Sequence, residues 1–176
     1  MPVGKLLTSA QCYDGSMRAP MFELRGVDGK DYSPVTARGD KGLLVMFICN
    51  HCPYVKRVID GIVRDCNGLA PLGIGSIAVM SNDPTEYPED SFDNMKRVAR
   101  EKGFGFPYVI DRTQEVARAY GTVCTPEFFG FDAGLNLEYH GRYDEMFAAM
   151  KRIAETGKGP EKQIPSVGCS IKWSRR

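Results

Sequence analysis

The sequence predicts an α/β fold: three layers, α/β/α, around a mixed central sheet. Three observations carry this. Gly42 to Ile48 is a continuous apolar run of strand length, which fits a central strand covered on both faces. The next segment, 53–70, places Val55, Val58, Ile59, Ile62 and Val63 at helical spacing with Lys56, Arg57, Asp60 and Arg64 between them. Strand-like and helix-like segments then alternate to the last helix, which is the pattern of helices packed on both sides of a sheet.

The elements follow in order. Residues 1–20 read as irregular, with Pro2, Gly4, Gly15 and Pro20. Met21 to Leu24, followed by Asp28-Gly29, reads as an N-terminal hairpin. After the helix, Ile74 to Met80 is a second buried strand and Ser81 to Pro88 a polar loop. Glu89 to Lys102 reads as a helix, Phe106 to Ile110 as a short strand, and Asp111 to Tyr120 as a helix ended by Gly121. Phe128 to Phe131 and Leu135 to His140 flank Asp132-Ala133-Gly134 as a hairpin. Tyr143 to Glu155 is the last helix, and 157–176 a Gly/Pro-containing tail with a basic end. No repeat or linker-like break interrupts the chain. A single domain over 1–176 is therefore expected, with its core at about 20–156.

The chain has 176 residues, with 23 Lys plus Arg against 22 Asp plus Glu. That balance argues against a nucleic-acid footprint, which needs a clustered positive excess. No apolar run has the length of a membrane span, and the N-terminus lacks a signal-peptide core. A cytoplasmic protein is the expectation, with its thiols in a reducing compartment where structural disulfides are rare. Six cysteines occur (Cys12, Cys49, Cys52, Cys66, Cys124 and Cys169), and only Cys49 and Cys52 are close in sequence. In this setting the pair points to redox or metal chemistry rather than a disulfide framework.

Cys49-Asn50-His51-Cys52 joins a buried strand to a helix. The first cysteine is thus expected near a helix N-terminus, where unpaired amides and the dipole favour a thiolate. Cys49 reads as the nucleophile, and Cys52, three residues on, as the resolving thiol. His51 is a candidate to stabilise the Cys49 thiolate, which would make the pair more oxidising. Val123-Cys124-Thr125-Pro126 precedes a strand and is a candidate cis-proline turn.

Together these features resemble the thioredoxin superfamily, in which a Cys-x-x-C motif opens the first core helix and a cis-proline packs against it. The resemblance implies a thioredoxin fold, here with an N-terminal β-hairpin extension. It also implies that Thr125 and Pro126 hold a substrate strand. More narrowly, three blocks resemble peroxiredoxin-like, AhpC/TSA-type thioredoxin family proteins: Phe-Ile-Cys-Asn-His-Cys-Pro-Tyr-Val-Lys at 47–56, Ala-Tyr-Gly-Thr-Val-Cys-Thr-Pro-Glu-Phe-Phe at 119–129, and Pro-Ser-Val-Gly-Cys-Ser-Ile-Lys-Trp at 165–173. Two positions depart from thioredoxin. Ile48 stands where a Trp precedes the first cysteine, and Leu43 where a buried acid is usual. Proton transfer at Cys52 must then use water, His51 or another group.

The expected function is thiol–disulfide oxidoreductase. Its substrates would be protein or small-molecule disulfides, its electron donor a reductase or another thiol, and no cofactor is required. Two alternatives stand beside it. The peroxidase motif Pro-x-x-x-Thr-x-x-Cys, laid on Cys52, meets Val45 and Cys49 instead of Pro and Thr; Cys52 oxidation to a sulfenic acid with Cys49 condensing on it still offers a thiol peroxidase. Cys49, Cys52, Cys124 and a histidine offer a metal-binding or carrier function, although no second paired spacing supports a bound metal. Cys124 and Cys169 are a candidate second redox pair. Trp173 is a candidate anchor for the tail, and Asn82, Asp83 and Glu86 sit on a loop expected to rim the site. Cys12 and Cys66 read as structural or incidental.

Overall fold

The computed structural model describes residues 6–8 and 17–175; Cys12 lies outside the described residues. The strands are β1 Leu6–Thr8, β2 Leu24–Gly26, β3 Asp31–Tyr32, β4 Gly42–Phe47, β5 Ile74–Met80, β6 Tyr108–Ile110, β7 Cys124–Thr125, β8 Glu127–Asp132, β9 Leu137–Gly141 and β10 Val167–Ser170. The helices are α1 Pro34–Ala37, α2 Pro53–Leu69, α3 Phe92–Glu101, α4 Glu115–Tyr120 and α5 Tyr143–Thr156.

Seven strands form one mixed sheet in the order β3-β2-β6-β5-β4-β8-β9. β4, β5 and β6 run parallel, while β8 and β9 add antiparallel pairs beside β4. All six residues of β4 are buried, as its unbroken apolar run requires. Its side chains alternate between two cores. Leu44 and Met46 pack with α2, α3 and α5 through Ile59, Met95 and Met150. Leu43, Val45 and Phe47 pack on the other face with Val116, Ala117 and Tyr120 of α4. This is a thioredoxin fold, with helices on both faces and an N-terminal hairpin pairing β2 with β3.

Several elements differ from the sequence reading: the first hairpin strand lies at Leu24–Gly26 and not at Met21 to Leu24, and three further differences have local reasons. The segment from Pro88 to Asp90 is a 3-10 turn, and α3 begins only after Ser91, whose side chain accepts from the Asn94 amide at 3.2 Å. The buried Asp111 carboxylate accepts from the Val116 and Ala117 amides at 3.3 and 2.9 Å, so α4 starts late and Asp111 acts as a distant cap. The tail contains a strand that the sequence reading did not assign: β10 joins β1 and β7 in a second, three-stranded sheet.

A buried hydrogen-bonded pair also lies outside the sequence reading. Glu127, opposite Phe47 in the register, meets His140 Nε2 at 2.5 Å and accepts from the Thr122 hydroxyl and the Val123 amide. Both Glu127 and His140 are buried. Removing the Glu127 carboxylate takes away the acceptor of the Thr122 hydroxyl and the Val123 amide, at about 1–3 kcal/mol for each buried donor left unmet. We therefore expect Glu127→Ala to lower unfolding free energy by about 3 kcal/mol. Urea denaturation checks this, and a midpoint equal to that of the parent protein would refute it.

Candidate active site

The site lies where β4 ends. α2 starts at Pro53, so its N-cap residue is Cys52 and not Cys49. Cys49 sits in the loop between strand and helix. Both thiols are buried, Cys49 3 % exposed and Cys52 fully covered. The Thr125–Pro126 peptide bond is cis. Thr125 contacts both sulfurs: its Oγ1 lies 3.4 Å from Cys49 Sγ, and its carbonyl oxygen 3.5 Å from Cys52 Sγ. Cys49, Cys52, Thr125 and Pro126, chosen from sequence, thus converge.

The electrostatics reverse the expected assignment of the thiolate. Cys52 is held down to about 4, first because the Cys49 thiol donates to it, then through the Cys169 thiol and the Val55 amide, all against the cost of burial. Cys49 is pushed up, by burial first, then by its hydrogen bond to Cys52 and the negative charge of Asp90. The two shifts favour negative charge on Cys52 over Cys49. The helix N-terminus favours an anion as expected, but the residue there is the second cysteine.

His51 also has another role than the one expected. Its Nδ1 hydrogen-bonds the Asp90 carboxylate instead of supporting the Cys49 thiolate. Asp90 is fully buried and also accepts from the Asn50 amide at 2.7 Å, the His51 amide at 3.2 Å and Asn82 Nδ2 at 3.0 Å. Asn50 in turn accepts from the Tyr108 hydroxyl at 2.8 Å. The loop from Cys49 to Cys52 thus hangs on one carboxylate from the 3-10 turn. The His51 ring stacks on Tyr87 with centroids 4.2 Å apart, and Lys172 Nζ lies 5.3 Å from the centre of the Tyr87 ring.

The tail closes one side of the site. Cys169 pairs with Thr125 and Ser170 with Cys124, so the chain's own β10 occupies the β7 edge that was expected to receive a substrate strand. Adjacent residues on a strand face opposite ways. Cys169 therefore faces the Thr125 side, beside Cys52, whereas Cys124 faces Glu127, its Sγ 3.8 Å from Oε2. Alternation thus sets Cys124 and Cys169, the candidate second pair, on opposite faces of the β7–β10 ladder. Burial, then the charge of Glu127, pushes the Cys124 thiol up and keeps it neutral. Lys172, not Trp173, fastens the tail: its amide donates to Asn82 Oδ1 at 2.9 Å, and its carbonyl accepts from the Asp83 amide and Gln114 Nε2, both at 2.8 Å. Trp173 stays 38 % exposed beneath the Arg118 guanidinium. The polar loop is thus split: Asn82 is buried structure, while Glu86 is a surface partner of Arg175.

Close packing at this seam gives a direct test. A Cβ on Gly168 would stand 2.0 Å from the Thr125 carbonyl oxygen. We expect Gly168→Ala to push β10 off β7 and cost about 1–3 kcal/mol, the usual range for overpacking. Thermal unfolding together with amide exchange at Cys169 checks it; unchanged protection there would contradict the close approach.

Cys49 opens on the other side into a cleft of about 380 Å³. Its floor is apolar, with Ile48, Val55, Ile59 and Phe104, and its rim carries Lys56, Glu89, Arg97, Glu101 and Lys102. Lys56 reaches Glu89 at 3.6 Å, and Arg57 stacks over Tyr54. As metal donors, Cys49, His51 and Asp90 offer atoms within 4.8 Å of one another, a different set from the four-ligand group considered from sequence. In this arrangement the His51 ring and Asp90 already satisfy each other. Among the described residues no helix is long and apolar enough to cross a membrane.

Residues 16–140 match the AhpC/TSA family. The chain belongs to that family. A crystal structure of an uncharacterized conserved protein from Geobacillus kaustophilus is 41 % identical, covers 98 % of both chains and superposes with a TM-score of 0.92. A hypothetical protein from Sinorhizobium meliloti 1021 is 30 % identical over 96 % of this chain and 99 % of its own, with a TM-score of 0.90. A thiol:disulfide interchange protein of the thioredoxin family from Chlorobium tepidum TLS shares the fold at 23 % identity, covering 83 % of this chain and 97 % of its own, with a TM-score of 0.64. No functionally curated protein matches the sequence.

Proposed function

We propose that the protein is a dithiol–disulfide oxidoreductase that works through Cys49 and Cys52. The observation that carries this is the placement of the pair: both sulfurs lie in one buried cluster against Thr125, and Cys49 borders an open cleft. Cys49 attacks a substrate disulfide, and its proton passes to the Cys52 thiolate. The first substrate sulfur leaves as a thiolate. Cys52 then attacks Cys49 Sγ in the mixed disulfide, its proton going to the departing substrate sulfur. The products are a Cys49–Cys52 disulfide and two substrate thiols or thiolates. Electrons return from a reductase or another thiol. Thr125 positions both sulfurs, and the His51–Asp90 pair holds the loop; neither changes redox state. Because β10 fills the β7 edge, the substrate enters by the cleft, whose size and charged rim suit a small disulfide or an extended peptide end better than a docked strand.

Turnover of glutathione disulfide and of insulin, with a thiol donor, tests the reading. Faster reduction of the small disulfide is expected; no reduction of either would overturn it.

Family membership and the depressed Cys52 thiol favour thiol peroxidase as a second reading. There Cys52 attacks the peroxide and becomes a sulfenic acid. Cys49 condenses on it, releasing water. Peroxide-dependent oxidation of the donor thiol that vanishes in Cys52→Ser would support it.

A further inference from the structure

The thiol of Cys169 is not used by the proposed two-cysteine cycle, yet it belongs to the same buried cluster as Cys49 and Cys52. The register sets it opposite Thr125, the residue that touches both active sulfurs. Gly168 permits this approach, since any side chain there would strike the Thr125 carbonyl. Beyond the strand, three hydrogen bonds through Lys172 hold the tail in place. A thiol outside the cleft lining is thus fixed by backbone pairing in the cluster that holds Cys52.

Resting on the oxidoreductase reading, we propose that Cys169 is a third redox thiol, which exchanges into the Cys49–Cys52 disulfide to form Cys52–Cys169. The Cys169 sulfur attacks Cys52 Sγ, the Cys49–Cys52 bond breaks, and Cys49 departs as a thiolate that takes up the proton lost by Cys169. No electrons enter or leave, so no outside oxidant or reductant is needed. The exchange moves the disulfide from the cleft to the tail and returns Cys49 to the thiol form while the protein stays oxidised. In the reduced protein Cys169 is held up at about 12 by burial and by its contact with Cys52. The Cys52 contribution disappears once Cys52 is in a disulfide, while the burial contribution stays, so closing the first pair removes part of the barrier to Cys169 deprotonation.

The test is disulfide mapping by mass spectrometry after diamide oxidation, at protein concentrations too low for dimers. Wild type is expected to yield both Cys49–Cys52 and Cys52–Cys169 peptides. Cys49→Ser is expected to yield Cys52–Cys169 in most chains, and Cys49→Ser/Cys169→Ser none. Cys49→Ala serves as a second background if the serine variant folds poorly. Adding Cys124→Ser should leave the link in place. The inference is overturned if Cys169 stays alkylatable in every background or is recovered joined to Cys124. Absence of Cys49–Cys52 in oxidised wild type would instead overturn the oxidoreductase reading itself.

Discussion

Cys49→Ser is expected to lose disulfide reduction by at least about 10³-fold, because the attacking sulfur is gone and a serine hydroxyl does not replace it. Cys52→Ser should fail differently. Cys49 remains to attack, but the thiolate that takes its proton is missing, and so is the resolving sulfur. The first turnover should be slow and should end in a stable mixed disulfide on Cys49. Single-turnover kinetics with intact-mass detection separates the two variants. An adduct on Cys49→Ser, or multiple turnovers by Cys52→Ser, would contradict the assignment of roles.

Asp90→Ala is expected to be the most damaging change outside the cysteines. Four donors converge on this carboxylate: the amides of Asn50 and His51, the His51 ring and Asn82. Removing it leaves buried donors unmet, at about 1–3 kcal/mol each and not additively. A total near 3 kcal/mol is expected, which for a chain of this size lowers Tm by about 10 °C. Asp90→Asn keeps the shape and part of the acceptor capacity, so it should fall between. The alanine variant should also lose activity in the fraction that remains folded, since the Cys49–Cys52 loop loses the acceptor of both its Asn50 and His51 amides. Calorimetry decides the stability claim; a Tm within about 2 °C of the parent would refute it.

What the sequence disclosed was local. The apolar run Gly42 to Ile48 and the helical spacing after it delivered β4 and α2, because each pattern matches its own element's period. Thr125 and Pro126 were legible from chemistry, since a Thr-Pro before a strand is a rare arrangement with a known partner in this fold. Leu43 was rightly seen to lack the usual acid. The carboxylate that holds the loop was not legible, because Asp90 lies 40 positions from the Asn50 amide it binds and reads as one charged residue among several in a helix start. The only sequence hint is Pro88 with Ser91, which shifts the cap and turns Asp90 inward. No strand was read in the tail because β10 is short and pairs with strands of two and three residues, which leave little periodicity. The face of Cys169 followed from register alone, and a register between distant short strands has no signature in either segment.

The most direct measurement is the midpoint potential of the Cys49–Cys52 couple as a function of pH. A thiol depressed in the folded, reduced protein stabilises that state fully above the ordinary cysteine range, and the gain is lost as pH falls through about 4. Cys49, being raised, stays protonated and contributes nothing to this slope at neutral pH. Reduction then takes up two electrons and one proton. The account predicts a slope of about 30 mV per pH unit between about pH 5 and about pH 8, and a potential on the oxidising side of about −270 mV, the value for thioredoxin. A slope near 59 mV per pH unit would mean that both thiols are protonated and would contradict the Cys52 thiolate, and the absence of a reversible two-electron couple would contradict the redox site altogether.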